Sequence, residues 1–180
     1  SFRGLPYGTD QGKADQSQKG DWRNMGILMA SVSGFSVQNI TMIDSHCWGM
    51  SFEYCSAGVI RDIRFQSTGE KVINGQAVTL YNQDGVDLRL GCHDITIENI
   101  SGETGDDMVA LTAISYGSKA SGQFGYSMIS AGQESLQAIR NVTIRNIQGR
   151  CAGGHNIIRL LNTGQARMDN ILIDGGIDAT

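Results

Sequence analysis

The sequence is poor in proline and in charged residues, which make up 18% of the chain. One proline occurs among 180 residues, where a usual frequency of about 5% would give several, whereas the 24 glycines are roughly twice the ordinary share. Many glycines with almost no proline favour tight turns between short strands over long helices. The formal net charge is −4, which argues against a nucleic-acid partner because such a partner would need a basic surface.

Long apolar runs are also absent. No stretch approaches the roughly 20 apolar residues of a membrane span, so the sequence predicts a soluble chain with no membrane partner. The four cysteines have neither zinc-site spacing nor the density of a disulfide scaffold, and we expect buried free thiols. The chain begins at Ser1 without a leader-like segment, so we expect a section of a longer protein.

A short motif recurs along the chain: Asn or Asp, a β-branched residue, any residue, then an apolar residue. Its copies begin at Asn39, Asp62, Asp94, Asn141 and Asn170. Each copy has the period-two alternation of a strand, and a second alternating run follows all but the last. Such a unit cannot bury its own apolar face and must stack on copies of itself.

The sequence therefore predicts an all-β fold, a right-handed parallel β-helix of about five to six coils. We expect residues 23–180 to form this domain and residues 1–22 to be a loop or the remnant of a preceding segment. The Asn and Asp of the motif should stack as one side-chain ladder. Residues 115–137, rich in Ser, Gly and Gln, should leave the coil as a loop.

Alignment of the second runs places acidic residues on neighbouring rungs, the successive turns of the chain. The three aligned columns are Trp48, Asp84, Asp107 and Asn156; Cys47, Gln83, Asp106 and His155; and Ser51, Asp87, Ala110 and Arg159. Rungs lie about 4.8 Å apart, so Asp84, Asp106 and Asp107 should cluster. Asp84-Gly85 alone is also typical of a turn, but three clustered carboxylates repel one another and indicate function.

Two motifs carry a resemblance to a known family. Asn82-Gln83-Asp84-Gly85 and Gly105-Asp106-Asp107 resemble the Asn-Thr-Asp-Gly and Gly-Asp-Asp motifs of glycoside hydrolase family 28, the polygalacturonase family of the pectin-lyase-like β-helix superfamily. The resemblance implies inverting hydrolysis of a uronate- or rhamnose-containing, pectin-like polysaccharide. It implies no metal or cofactor, and an extracellular or periplasmic location.

The resemblance also implies roles for individual residues. Asp106 would be the general acid, and Asp84 and Asp107 would hold and activate water, with carboxyl groups about 6.5–9.5 Å apart. Taken with the alignment of the rungs, from which Arg89 comes, the candidates for binding substrate are His155, Arg159, Asn82, Trp48 and Arg89. His155 also fits a capping turn, and Trp48 is either an exposed sugar platform or a cover for the rung below.

The sequence departs from the family pattern in two places. The histidine of Gly153-Gly154-His155, which stands for a Gly-His-Gly motif, arrives by its spacing a coil late. Arg159-Leu160-Leu161 keeps the arginine of an Arg-Ile-Lys pair that grips a uronate carboxylate, but it lacks the lysine. Arg89 or Lys119 would have to supply the second cation, and otherwise we expect polygalacturonate to be a poor substrate.

Two other functions remain open from the sequence. A calcium-dependent β-helical polysaccharide lyase would use the clustered carboxylates as hard oxygen ligands and Arg159 to abstract a proton. A non-catalytic carbohydrate-binding β-helix would bind glycans without turnover. Calcium dependence of activity separates the lyase from the hydrolase, and binding without turnover identifies the third function.

Overall fold

The computed structural model describes residues 2–3, 25–73, 75–80, 82–114, 138–163 and 166–179. These residues form strands and no helix, and so none of them lies in a helix that could span a membrane. The strands are β1 Phe2–Arg3, β2 Ile27–Ala30, β3 Ser33–Ile43, β4 Met50–Glu53, β5 Ser56–Gln66, β6 Glu70–Ile73, β7 Gln76–Thr79, β8 Val86–Leu88, β9 His93–Thr104, β10 Val109–Ile114, β11 Ile139–Cys151, β12 Ile158–Thr163 and β13 Met168–Asp178.

Eleven of these described strands form two parallel sheets. One has the order β1-β3-β5-β9-β11-β13 and the other β12-β10-β8-β4-β2. The chain alternates between the two sheets, passing from β2 to β3, β4 to β5, β8 to β9, β10 to β11 and β12 to β13. This arrangement is that of a parallel β-helix, and it confirms the all-β, stacked architecture expected from the repeat. An antiparallel hairpin, β6–β7, is inserted between β5 and β8, and the repeat did not predict it.

The interior consists of apolar columns that run through successive rungs. Ile63, Ile100 and Ile147 are in register on β5, β9 and β11, and each is at most 1% exposed. Inward residues of β4, β8 and β10, such as Phe52, face this core from the opposite sheet. All four cysteines are buried and free, as expected.

The polar corners form two ladders, so the single predicted ladder is wrong. Register places Asn39, Asp62, Asn99 and Asn146 in one ladder. Asp94, Asn141 and Asn170 form the other. Both ladders have left-handed backbone, with φ between 52° and 58°, a conformation that Asn and Asp tolerate best after Gly. The motif missed the copies at Asn99 and Asn146 because each ends in glycine.

Hydrogen bonds join the ladder side chains across rungs. Asn99 Nδ2 donates to Asp62 Oδ1 at 2.9 Å, and Asn141 Nδ2 donates to Asp94 Oδ1 at 2.7 Å. Asn170 Nδ2 in turn donates to Asn141 Oδ1 at 3.0 Å. Each ladder acid thus faces an amide donor.

Two sequence expectations fall largely on residues that the structure does not describe. Within residues 1–22, Phe2–Arg3 pair with Met42–Ile43 as strand β1, and the rest of that segment lies outside the described residues. The expected loop at 115–137 also lies outside them.

Candidate active site

Strand register confirms the residue columns that were aligned from the sequence. Ser51, Asp87, Ala110 and Arg159 are direct partners across β4, β8, β10 and β12. Immediately before these strands, Gly49 N donates to Asp84 O at 2.8 Å and Gly85 N donates to Asp107 O at 2.9 Å. Met108 N continues this series to Asn156 O at 3.0 Å. Asp84 and Asp107 therefore enter neighbouring strands at the same level.

Two glycines allow the acidic turns to approach each other. A Cβ on Gly105 would collide with Gln83 Oε1 and would lie 2.7 Å from the Gly69 Cα. A Cβ on Gly85 would collide with the carbonyl oxygen of Met108. Buried Gln83 holds this corner, because its Oε1 accepts from Gly69 N at 2.7 Å and its Nε2 donates to Ser45 O at 2.6 Å.

The acids line one small cleft on the outer face of the five-stranded sheet. Its described lining is Trp48, Asn82, Asp84, Asp87, Asp106, Asp107, Ala110, Thr112, Arg159 and Leu161. The cleft offers about 40 Å³ to water, enough for a few water molecules and no sugar ring. A glycan would therefore lie across its mouth. A roomier cleft of about 330 Å³ lies beside Tyr54, His93 and Arg140, but it lacks this carboxylate cluster.

Asp106 is the most accessible of the four acids, and the polar contacts that the described residues make with its carboxyl group fall on one oxygen. Its Oδ1 accepts from Asp107 N at 2.9 Å and lies 2.9 Å from His155 Nδ1. Burial raises the pKa of Asp106, a nearby His155 charge lowers it, and the charge of Asp107 raises it again. Asp106 can therefore retain a proton on its other oxygen more readily than an exposed aspartate can.

His155 lies one rung from Asp106, and so the expectation that it arrives a coil late is wrong. Strand β12 pairs directly with β10, and in the sequence the additional residues come between β10 and β11. Spacing alone could not distinguish an insertion within one coil from an additional coil.

Asp107 is buried at 1% exposure and is fully engaged with the next rung. Its Oδ1 accepts from Asn156 N at 2.9 Å and Asn156 Nδ2 at 3.2 Å. Its Oδ2 accepts from Arg159 Nη1 at 3.0 Å. This hydrogen bond raises the pKa of Arg159, so the guanidinium stays charged.

Asp84 and Asp87 are buried as well, at 7% and 2% exposure, but they are not engaged in the same way. Asp84 Oδ1 and Asp87 Oδ2 accept no hydrogen bond from the described chain. Burial, followed by the charge of Asp87, raises the pKa of Asp84 well above its ordinary range. Asp87 was missing from the sequence-based candidates, although its place in the column with Arg159 was visible.

Trp48 and Arg89, two of the predicted substrate-binding residues, are both buried. Trp48 is only 7% exposed, so of the two alternatives left open by the sequence the exposed sugar platform is wrong. The Arg89 guanidinium carbon lies 4.7 Å from the centre of the Trp48 ring. Arg89 itself is 5% exposed and is absent from the described lining of the cleft, whereas Asn82 lies in it. Lys119 lies outside the described residues.

Asp106, Asp107 and His155 bring possible metal-ligand atoms within 4.8 Å of one another. Asp107, however, already accepts hydrogen bonds on both oxygens, and Nδ1 of His155 faces Asp106. These contacts explain the cluster without an ion, and we assign no metal to it.

Comparison with known proteins gives one match. The model of the family "Glycosyl hydrolases family 28" matches residues 4–172, a range that includes every residue of the cleft. No curated protein and no solved structure matches the chain. The chain therefore belongs to glycosyl hydrolases family 28, the glycoside hydrolases that act on pectin-like polymers.

Proposed function

We propose that this chain is an inverting glycoside hydrolase that cleaves a uronate- or rhamnose-containing polysaccharide outside the cell or in the periplasm. The observation that carries the proposal is the cleft in which four carboxylates from neighbouring rungs meet, two of them with buried oxygens that accept no hydrogen bond from the described residues. The proposal includes a right-handed coil of about five to six turns, the hand that parallel crossovers favour. It also includes catalysis without a metal.

Asp106 is the general acid in this proposal. A general acid must be protonated before it acts and must lie at the surface where the leaving oxygen arrives. Burial raises the pKa of Asp106, and its side chain is still 14% exposed. His155, one rung away, orients the carboxyl group through Oδ1 and leaves the other oxygen to protonate the leaving group.

Asp84 is the carboxylate that activates water. Its Oδ1 accepts no hydrogen bond from the described residues, and it lines the cleft on the rung next to Asp106. The resemblance adds Asp107 to this role. A water molecule between Asp84 and the sugar would attack the face opposite to the leaving oxygen, which inverts the anomeric configuration.

The charges of the cleft bear on the choice of substrate. Among its described lining residues, four acids face one cation, Arg159, and that cation is paired with Asp107. Leu161 lines the cleft where the family pattern has a lysine. An acidic cleft with its arginine engaged disfavours a carboxylate at the cleavage subsite, so we propose a decorated or less charged pectin-like glycan rather than plain polygalacturonate.

The lyase alternative needs Arg159 to abstract a proton. A guanidinium that donates to buried Asp107, and whose pKa is raised by that bond, is poorly suited to this step. The contact between Arg159 and Asp107 thus favours hydrolysis over β-elimination.

The test is an activity screen followed by analysis of the product. The protein is incubated with polygalacturonate, rhamnogalacturonan and neutral glycans, with and without calcium and chelator, and new reducing ends are measured. Proton NMR of the first product formed should show the anomer opposite to that of the cleaved bond. Retention of configuration, or calcium-dependent release of unsaturated uronates, would contradict the proposal.

A further inference from the structure

We propose that the roomier cleft is a second glycan-binding site, which holds uronate carboxylates of a pectin-like polymer away from the acidic cleft where the bond is broken. We call this site the basic groove and define it by Tyr54, His93, Arg140, Arg167 and Asp169. The choice of a uronate-bearing ligand rests on the proposed function. The site itself goes beyond that function, because no residue of the acidic cleft takes part in it.

The basic groove lies at the other end of the strands that carry the acidic cleft. Asp87 belongs to β8, and His93, six residues later, begins β9 and lines the groove. Six residues of extended chain span at most about 20 Å. A polymer bound in the groove therefore stays close to the acidic cleft, and its effective concentration at that cleft is raised.

The groove has the room for a sugar ring that the acidic cleft lacks. It offers about 330 Å³, against about 40 Å³ in the acidic cleft. Small-molecule sites usually measure about 300–1,000 Å³. The basic groove is therefore large enough to take part of a glycan.

A column of polar side chains runs along the groove. His93, Arg140 and Asp169 are register partners on β9, β11 and β13. Ser33 and Ser56 continue the column to β3 and β5. Rungs repeat at about 4.8 Å, so the column is about 20 Å long. A linear polymer that lies along it meets a polar side chain at every rung.

Charge distinguishes the groove from the rest of the chain, whose formal net charge is −4. The described lining of the groove has two arginines and a histidine but only one acid, Asp169. Arg167 Nε lies 3.7 Å from Asp169 Oδ2, and both side chains are at least half exposed, so this pair is weak. A basic patch on an acidic protein attracts carboxylates to that place.

The contacts of Asp94 leave Arg140 available to a ligand. Asp94 Oδ1 accepts from Asn141 Nδ2 at 2.7 Å, and Asp94 Oδ2 lies 2.7 Å from His93 Nδ1. Asn141 and then His93 lower the pKa of Asp94 more than the charge of Arg140 does. Because Asp94 does not depend on Arg140, the guanidinium can bind a ligand carboxylate through two parallel hydrogen bonds.

Tyr54 adds an apolar surface from an unusual backbone position. Its φ is 51°, at a corner where the neighbouring rungs have Ser31 and Gly91. Large side chains are rare in this left-handed region, and residues held there are concentrated at functional sites. Tyr54 packs partly against the core and also lines the groove. A sugar ring can therefore pack on the tyrosine while its carboxylate meets an arginine.

The first test is a proton NMR titration of the Asp106→Asn protein with a short oligogalacturonate, and it requires no groove variant. Each of the three histidines reports on a different place. His93 lines the groove, His155 lies beside residue 106, and His46 is buried at 3% exposure. The ring signals of His93 should move at lower ligand concentrations than those of His155, and those of His46 should stay. If the His155 signals move first, or those of His93 do not move, the inference is wrong.

The second test measures the affinity of polygalacturonate for variants in the Asp106→Asn background. Arg140→Gln and Arg167→Gln should each weaken binding by about two- to fivefold, the usual size for an exposed charge contact, and added salt should reduce the difference. The matched control is Arg145→Gln, which removes the same charge from an exposed position of β11 outside the described lining of the groove. This control should bind polygalacturonate as the unsubstituted background does.

Two other polymers separate sugar recognition from charge. Polyglutamate has carboxylates without sugar rings, and a neutral glycan has sugar rings without carboxylates. Polygalacturonate should bind more tightly than either. Equal binding of polyglutamate would reduce the groove to a patch of charge, and equal binding of the neutral glycan would remove the role of the arginines. Either result overturns the inference.

The outcomes distinguish this inference from the proposed function. If the wild type hydrolyses a glycan but Arg140→Gln and Arg145→Gln bind polygalacturonate equally well, the inference is wrong and the proposed function stands. If binding depends on the groove but the wild type hydrolyses no glycan, the binding site stands and the proposed function is wrong.

Discussion

The cleft and the corner ladders stack acidic residues by the same rule but with opposite electrostatics. In the ladder, Asp94 Oδ1 accepts from Asn141 Nδ2 at 2.7 Å, and this bond is the main reason that the pKa of Asp94 is lowered. In the cleft, Asp84 has three other carboxylates around it, and burial raises its pKa well above the ordinary range. Stacking on adjacent rungs can therefore either stabilise the charged form of an acid, which lowers its pKa, or disfavour that form, which raises its pKa.

The difference shows which part of the molecule supports the fold and which part performs chemistry. Each ladder has one acid among its described members, and the Asn on the next rung donates to it, so neighbouring rungs support each other. The cleft places acid beside acid, and it leaves two buried oxygens without a donor among the described residues. Because such strain is destabilising, its concentration in one cleft fits the trade between stability and activity at functional sites.

The largest expected effect is on catalysis in the cleft. Asp106→Asn cannot donate a proton, so kcat should fall by about 10²–10⁴-fold. Circular dichroism and the unfolding midpoint should remain close to those of the wild type. Near-wild-type turnover by the purified variant would remove Asp106 as the general acid.

The choice of substrate should show the next largest effect. A missing charge-assisted contact of about 1.5–3 kcal/mol corresponds to roughly a ten- to hundredfold loss. Plain polygalacturonate should therefore be hydrolysed that much more slowly than the best glycan, when initial rates are compared at equal concentration. If polygalacturonate is the fastest substrate, another cation has taken the place of the lysine, and the argument from Leu161 fails.

A substitution in the ladder should change the stability of the protein and leave its activity unchanged. Asn141→Ala removes the donor to Asp94 and forces alanine into a left-handed backbone of φ 53°. We expect the free energy of unfolding in denaturant to fall by about 1–2 kcal/mol, with unchanged turnover per folded molecule. Asn141→Gly accepts the same φ and should lose less. Equal stability of wild type and Asn141→Ala would show that the ladder does not support the fold.

Asp84→Asn should have the smallest effect on stability, and of the opposite sign. The pKa of Asp84 is higher in the folded protein than its ordinary value of 3.8. The free energy of unfolding of the wild type therefore decreases as pH rises from about that value through the folded pKa. The variant lacks this loss, so it should be more stable by about 0.5–2 kcal/mol at neutral pH and by little in strong acid. Denaturant titrations at both pH values provide the check, and a variant that is less stable at neutral pH would contradict it.

The stacked fold and the three acids were predictable because both depend on local pattern. Alternation and the glycines before Asp106 and after Asp84 fix the strands and the register of the columns. The two ladders occupy positions five residues apart on the same strands, such as Asp94 and Asn99, and both positions favour Asn or Asp. The sequence pattern therefore predicted one ladder where the structure has two. The β6–β7 hairpin had a local signal in the sequence pair Asn74-Gly75, which is common in hairpin turns. This signal is not part of the repeat, and so the repeat did not predict the hairpin.

The remaining features depend on side chains that meet across rungs. The exposure of the Trp48 ring depends on Arg89, which follows β8 and whose guanidinium lies over the ring. Whether an acid is free to hold water depends on its donors, and the engagement of Asp107 by Arg159 is visible only in three dimensions. Asp87 was passed over because a single acid in a strand has no motif of its own.

The most direct test applies one substitution to both regions. Asp84→Asn and Asp94→Asn remove the same charge on β-helix corners, one in the cleft and one in the ladder, and their rates of glycan hydrolysis are measured at equal concentration of folded protein. The account predicts a loss of at least about a hundredfold for Asp84→Asn and a rate close to that of the wild type for Asp94→Asn. Equal rates for the two variants would contradict it.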